Sequence, residues 1–149
     1  VIHMEIGATK AVQDRLKTTK IEESKGASLV FCWDTHLTKI KGRNVLFIVN
    51  ASNRYTIAMT DIEPRNWNYY TMYIRSVIHG VMQEMGYSED QIGQYFKMSG
   101  DTTVTKTHGR KSVGGINRMV MDAQYFGKKL EKEAKYQWEL SEYLNRDIC

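Results

Sequence analysis

The sequence is poor in proline and in long apolar runs. It has one proline in 149 residues, which argues against a disordered chain. The longest apolar run, Val45–Val49, has the length of a strand and falls far short of the roughly 20 residues that span a bilayer. The first residues also lack the basic and apolar regions of a secretory signal. We therefore expect a folded, cytoplasmic protein that does not associate with membranes.

Cysteine is also scarce. Cys32 lies in an apolar run and Cys149 is the last residue, so a disulfide between them is disfavoured and a structural role is expected for Cys32. No second Cys or His motif lies close enough in sequence to complete a metal shell. The sequence therefore predicts no metal site and no cofactor.

The length of 149 residues is sufficient for one buried core and is typical of a single domain. His3-Met4 is the dipeptide that a common cloning junction encodes, so we interpret residues 1–3 as a cloning remnant. Residues 4–127 are expected to form the domain. Residues 128–149 are expected to form a C-terminal helix that packs on this domain or extends from it.

Acidic residues are absent from two stretches of the chain. The residues between Asp34 and Asp61 include four cations and no acid, and the same holds for the residues between Asp101 and Asp122. These eight cations exceed the formal net charge of +4, so the rest of the chain is net acidic. An uneven charge distribution of this kind favours anionic partners.

Hydrophobic alternation predicts a small antiparallel β-meander over about Ser28–Thr60. Phe31 and Trp33 alternate with polar or smaller residues, and Tyr55–Thr60 alternates again. Between them, Asn44–Asn50 is apolar on both faces, which is typical of a strand covered on two sides. The predicted turns are at Lys41-Gly42-Arg43 and at Ala51–Arg54.

A periodicity near 3.6 predicts the helices that cover this meander. One apolar helical stripe runs from Tyr70 to Met85, and Ser88 with Gln91 forms a capping box for the next helix. Further helices are predicted at 10–17, after a capping Ser112, and at 128–145, with short strands at 4–7 and 102–107. The predicted fold is a single α+β domain, in which several helices pack against the meander.

Two blocks of residues resemble a known family. The first block is Phe31-Cys32-Trp33, Leu37, Arg43, Asn50 and Arg54-Tyr55, and the second is Thr105-Lys106-Thr107, Arg110, Ser112-Val113, Gly115 and Asn117. They are similar to the Trp…Arg…Asn…Arg-Tyr sheet and the Thr-Lys-Thr…Arg-Ser-Val…Gly…Asn block of a family of small bacterial, phage and plasmid proteins that is classed as a domain of unknown function. The resemblance covers Met4 to about Phe126, and it implies a shared fold and surface but no reaction.

Cations and polar side chains of the two blocks form the candidate site. Arginine binds phosphate oxygens with two parallel hydrogen bonds, and hydroxyl groups near a helix N-terminus add neutral donors. We therefore expect Arg118 and the following residues to contribute to an anion- or partner-binding surface: Lys41, Arg43, Arg54, Thr105, Lys106, Thr107, Arg110, Lys111, Ser112 and Asn117. In the alternative, Arg54 and Arg110 pair with carboxylates that hold turns in place, and the lysines are solvated.

A second candidate site lies on the first predicted strand. Cys32, Asp34 and His36 stand at i, i+2 and i+4, so alternation places them on one face. Acid–base or nucleophilic chemistry, or Zn²⁺ binding, would use such a spacing, and His108 is a further candidate. The favoured interpretation is a polar strand face with a buried thiol. His79 lies in an apolar helix face and is expected to be a core residue.

Aromatic side chains offer stacking surfaces for nucleic acid bases. The candidates are Trp33, Trp67, Tyr69, Tyr70, Tyr73 and Trp138. The helical spacing of Trp67 and the three tyrosines favours a role in the core instead.

Three functions remain open from the sequence. The favoured function is a non-enzymatic binding or regulatory protein whose basic face engages nucleic acid or a nucleic-acid-bearing complex. The second is a small hydrolase or nuclease that uses His36 or His108 with Arg110. The third is a protein-binding module, for example an inhibitor encoded by a mobile element.

Overall fold

A five-stranded mixed sheet forms the centre of the structure. The computed structural model describes residues 3–17 and 19–146, so residues 1 and 2 of the interpreted cloning remnant and Cys149 lie outside the described residues. The strands are β1 (Met4–Ala8), β2 (Cys32–Ile40), β3 (Arg43–Asn50), β4 (Thr56–Thr60) and β5 (Thr102–Lys106). Their order across the sheet is β4-β3-β2-β1-β5.

The predicted meander consists of β2, β3 and β4, which pair antiparallel. Strand β1 pairs parallel with both β2 and β5, so the two short predicted strands extend the meander into a mixed sheet. Lys41 and Gly42 form the turn between β2 and β3, with φ values of +52° and +82°. Two successive residues with positive φ are typical of the tight hairpin turn whose twist matches that of its strands.

Helices cover both faces of the sheet, which confirms the α+β class. They are α1 (Lys10–Arg15), α2 (Pro64–Asn68), α3 (Tyr70–Glu84), α4 (Glu89–Ser99), α5 (Gly109–Gln124) and α6 (Trp138–Leu144), with a 3-10 turn at Leu29–Phe31. The capping box of α4 is present as predicted, and the Gln91 N–H donates to Ser88 Oγ at 3.2 Å. None of these helices is both long and apolar enough to cross a membrane.

Each face of the sheet has its own hydrophobic core. On one face, Ile6 of β1 and Ile48 of β3 pack in the same cluster as Ile74 and Ile78 of α3. On the other face, Phe47 of β3 lies in a second cluster, together with Ile116 and Met119 of α5 and Leu140 of α6. Strand β3 is apolar on both faces because it is covered on both, as the sequence predicts.

The C-terminal segment departs from the predicted helix at 128–145. Helix α6 begins only at Trp138, and the residues before it run along the edge of β4. The Thr60 N–H donates to the Lys135 carbonyl at 2.7 Å, and the Gln137 N–H donates to the Ala58 carbonyl at 2.9 Å. This pairing satisfies backbone groups of an edge strand that would otherwise lack partners. Extended backbone therefore replaces the first half of the predicted helix.

Helix α5 begins earlier than the sequence predicts. Its first residue is Gly109, and His108 occupies the N-cap position. Ser112 therefore lies within the helix, where it is buried, and it does not cap the N-terminus. The prediction that Ser112 is the N-cap was wrong because the His108 side chain, which is anchored to the sheet, sets the start of the helix.

Candidate functional site

Arg54 joins the two acid-free stretches. It follows β3, and its Nη2 donates to the Lys111 carbonyl at 2.6 Å, while its Nη1 lies 3.5 Å from the Ser112 carbonyl. The turn after β3 and the start of α5 therefore lie on the same side of the protein. In place of the predicted phosphate or carboxylate partner, Arg54 has backbone carbonyls.

The turn that carries Arg54 is organised by Asn50. The Asn50 Oδ1 accepts hydrogen bonds from the backbone N–H groups of Ser52 and Asn53, at 2.9 and 3.2 Å. The Arg54 N–H donates to the Asn50 carbonyl at 2.9 Å, and Arg54 itself adopts a φ of +68°. A left-handed conformation costs a non-glycine residue of order 1 kcal/mol, which the surrounding hydrogen bonds offset. The turn thus directs the arginine toward α5.

Two adjacent glycines of α5 shape the surface beneath this arginine. A Cβ at position 115 would overlap Nη1 of Arg54, so Gly115 provides the space in which the guanidinium lies. A Cβ at position 114 would meet no atom within 4 Å, so the space above Gly114 is open. Each glycine in a helix interior costs about 1 kcal/mol relative to alanine. Gly115 is explained by the close approach of Arg54, and Gly114 leaves the helix backbone accessible.

A groove of about 570 Å³ lies between α5, the β3–β4 turn and α6. It is lined by Val49, Arg54, Thr56, Lys111, Gly114, Gly115, Arg118, Met119, Asp122 and Leu144. Three of these residues are cations and one is an acid, so the groove has a basic lining. We call it the α5 groove.

The cations of α5 are available for binding. Arg110, Lys111 and Arg118 are all exposed, and within residues 3–17 and 19–146 none of their side chains has a hydrogen-bond or ion-pair partner. Lys111 and Arg118 are seven residues apart, which places them on one side of a helix with the accessible Gly114 between them. Asn117 is exposed on the same helix. These side chains form the part of the predicted surface that the structure brings together.

Lys41 and Arg43 lie away from the α5 groove. Arg43 begins β3, whereas Arg54 follows its end, and a strand of this length spans roughly 24 Å. Arg43 donates to the Glu131 carbonyl at 2.9 Å and to Asp61 Oδ2 at 3.2 Å. The structure therefore places Arg43 in a contact that holds the C-terminal segment, and Lys41 in the exposed turn beside it.

The Thr-Lys-Thr block lies at the end of β5 and does not line the groove. Thr105 is fully buried, and its hydroxyl donates to the Lys106 carbonyl at 2.8 Å. The Lys106 ammonium pairs with Glu23 at 2.9 Å. Thr107 is half-buried beside β1, where its Cα lies 3.1 Å from the position that a Cβ on Gly7 would take.

A buried polar cluster lies beneath the start of α5. The His108 ring is 2.6 Å from Asp34 Oδ1 through Nδ1 and 2.8 Å from Glu5 Oε1 through Nε2. All three side chains are at most 5% exposed. Glu5 also accepts hydrogen bonds from the Ser24 hydroxyl at 2.6 Å and from the Lys25 N–H at 2.7 Å. The cluster connects β1 and β2 to the N-terminus of α5.

The protonation states of this cluster follow from its geometry. Burial alone would lower the pKa of His108, but hydrogen bonds with Asp34, Cys32 and Glu5, together with the charge of Asp34, raise that pKa to about 11. Burial alone would raise the pKa of Glu5, but its hydrogen-bond donors lower that pKa to about 2. His108 is therefore an imidazolium that bridges two carboxylates, and both of its ring nitrogens donate.

The predicted strand face is split between two environments. Cys32 and Asp34 belong to the buried cluster, whereas His36 is hydrogen-bonded to Thr9 Oγ1 at 2.8 Å. Burial lowers the pKa of His36, so its ring is neutral near pH 7. His79 is 41% exposed and lies 3.5 Å from Glu89, so the prediction that it is a core residue was wrong.

The aromatic candidates differ in burial. Trp67 and Tyr70 are buried, as the core interpretation predicts, and Trp67 stacks on Tyr70 with ring centroids 5.5 Å apart. Tyr73 is half-buried, whereas Tyr69 is exposed, so the core interpretation was wrong for Tyr69. Trp33 is buried and Trp138 is exposed. A second concave surface, of about 310 Å³, is lined by Trp33 with Tyr55, Tyr87 and Tyr95 and lies apart from the basic groove.

Sequence reasoning missed Glu5 and the walls of the α5 groove. Glu5 is an acid in an otherwise apolar strand, and a buried carboxylate requires partners. Its position in the sequence could therefore have indicated a buried polar cluster. Val49, Thr56 and Leu144 line the groove, although nothing in their local sequence distinguishes them from other core or strand residues.

The comparisons with known proteins agree with the resemblance found in the sequence. The model of a family described as a domain of unknown function (DUF6933) matches residues 5–149, and the chain belongs to this family. The match extends beyond the region from Met4 to about Phe126 and includes α6. Comparisons with curated proteins and with solved structures found no match.

Proposed function

We propose that this member of the DUF6933 family is a non-enzymatic binding protein whose α5 groove engages the phosphate backbone of nucleic acid. The observation that carries the proposal is the convergence of Arg54, Lys111 and Arg118 on one groove, although they come from both acid-free stretches. The proposal includes a cytoplasmic location and a bacterial, phage or plasmid origin, which remain predictions from the sequence.

The arrangement of the cations supports an extended anion as ligand. Lys111 and Arg118 flank the open backbone at Gly114, so a phosphate could approach the helix between two positive side chains. Arg54 already donates to carbonyls, which fixes its guanidinium in the lining of the groove. Exposed cations without ion-pair partners need no bond to be broken before a phosphate binds. The electrostatic part of nucleic-acid binding depends on such contacts.

Binding is favoured over the hydrolase alternative because of the state of the two histidines. His108 is bridged by two carboxylates and is 5% exposed, so it offers no ring nitrogen to a substrate. His36 is hydrogen-bonded to Thr9 and does not line the groove. A general base must reach the proton that it removes.

The proposal is tested by fluorescence anisotropy with a labelled DNA duplex and a labelled single strand. Lys111→Ala and Arg118→Ala are expected to weaken binding several-fold at low salt. The matched control is Lys41→Asn, which removes one exposed lysine outside the groove. Asparagine is chosen because it tolerates the positive φ of position 41.

Equal losses in the control and in the two groove variants would show that binding reflects net charge and not this groove. No measurable binding of the wild-type protein to either probe at low salt would overturn the proposal and favour a protein partner.

A further inference from the structure

Three metal-binding side chains converge in the buried cluster. Glu5, Cys32 and His108 each offer one ligand atom, and these atoms lie within 4.8 Å of one another. Nε2 of His108 is 2.8 Å from Oε1 of Glu5, and Sγ of Cys32 is 3.9 Å from the same oxygen. They share no residue with the lining of the α5 groove.

The thiol of Cys32 has no strong partner in this arrangement. Its nearest acceptor is the Ser28 carbonyl at 3.4 Å, and the Ala27 carbonyl and Glu5 Oε1 are at 3.8 and 3.9 Å. A thiol is a weak donor, and these long contacts contribute little. The sulfur is thus fully buried beside an imidazole and a carboxylate, and its hydrogen bonds are weak.

Asp34 supplies the support that a histidine ligand requires. It accepts from Nδ1 of His108 at 2.6 Å, and this bond directs the other ring nitrogen toward Glu5 and Cys32. Metal-ligating histidines almost always donate their second N–H to a carboxylate or carbonyl, which fixes the tautomer and the ring orientation. The opposite oxygen of Glu5 is held by the Lys25 N–H at 2.7 Å.

We propose that Glu5, Cys32 and His108 bind a zinc ion that ties β1 and β2 to the start of α5. Thiolate, imidazole and carboxylate are all ligands of Zn²⁺, and the sulfur disfavours Mg²⁺ and Ca²⁺. Binding displaces the thiol proton and one imidazole proton, so the divalent ion replaces two protons and the charge of the cluster is unchanged. The sequence analysis predicted no metal because these ligands come from three separate segments.

The test uses the full-length protein with Cys149→Ser, in which Cys32 is the remaining thiol. After chelator treatment the protein is titrated with Co²⁺ and then with Zn²⁺. We expect one equivalent of cobalt, a thiolate-to-cobalt charge-transfer band, and loss of that band when zinc displaces cobalt. Cys32→Ser should abolish the band, and Asp34→Asn should weaken zinc binding by about 10- to 100-fold. His79→Ala, which alters a histidine outside the cluster, should change neither.

A second measurement does not depend on the folding of any variant. Zinc should raise the melting temperature of the chelator-treated protein, because a ligand that binds the folded state preferentially stabilises it. The absence of saturable 1:1 uptake together with an unchanged melting temperature would overturn the proposal. Uptake that persists at the same affinity in folded Cys32→Ser protein would also overturn it.

Discussion

The guanidinium of Arg54 lies in the space that a side chain at position 115 would need. A Cβ built on Gly115 overlaps Nη1 of Arg54, whereas one built on the neighbouring Gly114 meets no atom within 4 Å. Arg54 can approach the carbonyls of Lys111 and Ser112 because α5 carries a glycine at this point. The pair Arg54–Gly115 therefore determines how the two acid-free stretches meet.

The first prediction concerns this pair. Gly115→Ala should gain about 1 kcal/mol of helix propensity but displace Arg54, whose hydrogen bonds contribute about 1–3 kcal/mol, so its net effect is expected to be neutral or destabilising. In an Arg54→Ala background the same change should stabilise the protein by about 1 kcal/mol. Urea denaturation of the four proteins gives the coupling energy. Gly114→Ala is the matched control and should stabilise both backgrounds equally. A coupling energy near zero would contradict the role assigned to Gly115.

The second prediction concerns pH in the metal-free protein. The pKa of Glu5 falls from 4.5 to about 2 on folding, so its contribution to stability is present above about pH 4.5 and is lost as the pH falls toward 2. The pKa of His108 rises from 6.5 to about 11, so its contribution is fully present below about pH 6.5 and is lost as the pH rises toward 11. With a chelator present, the free energy of unfolding should be greatest between about pH 4.5 and 6.5.

Replacement of His108 tests the same cluster. His108→Ala leaves the buried carboxylates of Glu5 and Asp34 without their shared cation and should cost about 3–5 kcal/mol at pH 6. Thermal melts across the pH range should show that the decline above pH 6.5 is lost in the variant. His79→Ala alters a partly exposed side chain outside the cluster and should cost less than about 1 kcal/mol. A variant that keeps the wild-type alkaline decline would assign that decline to other groups.

The third prediction concerns the core. Phe47 is fully buried in the cluster between β3, α5 and α6. Phe47→Ala should lower the free energy of unfolding by about 3–5 kcal/mol, because apolar contacts are lost and a cavity remains. Urea denaturation measures the change, and the exposed Val113→Ala serves as a control. A loss below about 1 kcal/mol would show that β3 is not central to the fold.

The sequence predicts those parts of the fold that depend on local patterns. The strand Asn44–Asn50 was found because both of its faces are apolar, and α4 because Ser88 and Gln91 form a capping box. The segment before α6 was missed because its conformation depends on distant groups. The buried Gln137 amide donates to Thr60 Oγ1 at 3.0 Å, and no local periodicity reveals such a contact. The mixed charge of this segment is as compatible with a helix as with an extended segment along the edge strand β4.

Only part of the candidate site was predicted, because its other contacts also depend on residues that are distant in the sequence. Arg43 and Arg54 are equivalent in the sequence, since each is an arginine near one end of the same apolar strand. Their roles differ because Asp61 and the Glu131 carbonyl are near Arg43, whereas the helix start is near Arg54. Glu5 and His108 are 103 residues apart, so their contact follows only from the parallel pairing of β1 with β5.

The fourth prediction follows from the proposed contact with phosphate. Each phosphate contact on B-DNA contributes about −0.9 to the slope of log K against log salt concentration, because condensed counterions are released. Three cations line the α5 groove, namely Arg54, Lys111 and Arg118, so the slope for duplex DNA should be about −3. Lys111→Ala and Arg118→Ala should each reduce its magnitude by about one and leave the melting temperature nearly unchanged, since neither side chain has a partner among the described residues.

Arg54 should behave differently from these two cations. Arg54→Ala should reduce the magnitude of the slope and should also lower the melting temperature, because this side chain forms hydrogen bonds with α5. A loss of stability without any change in slope would assign Arg54 to the fold alone. A slope that stays the same in Lys111→Ala and Arg118→Ala would remove the α5 groove from the interface, whatever the affinity of the wild-type protein.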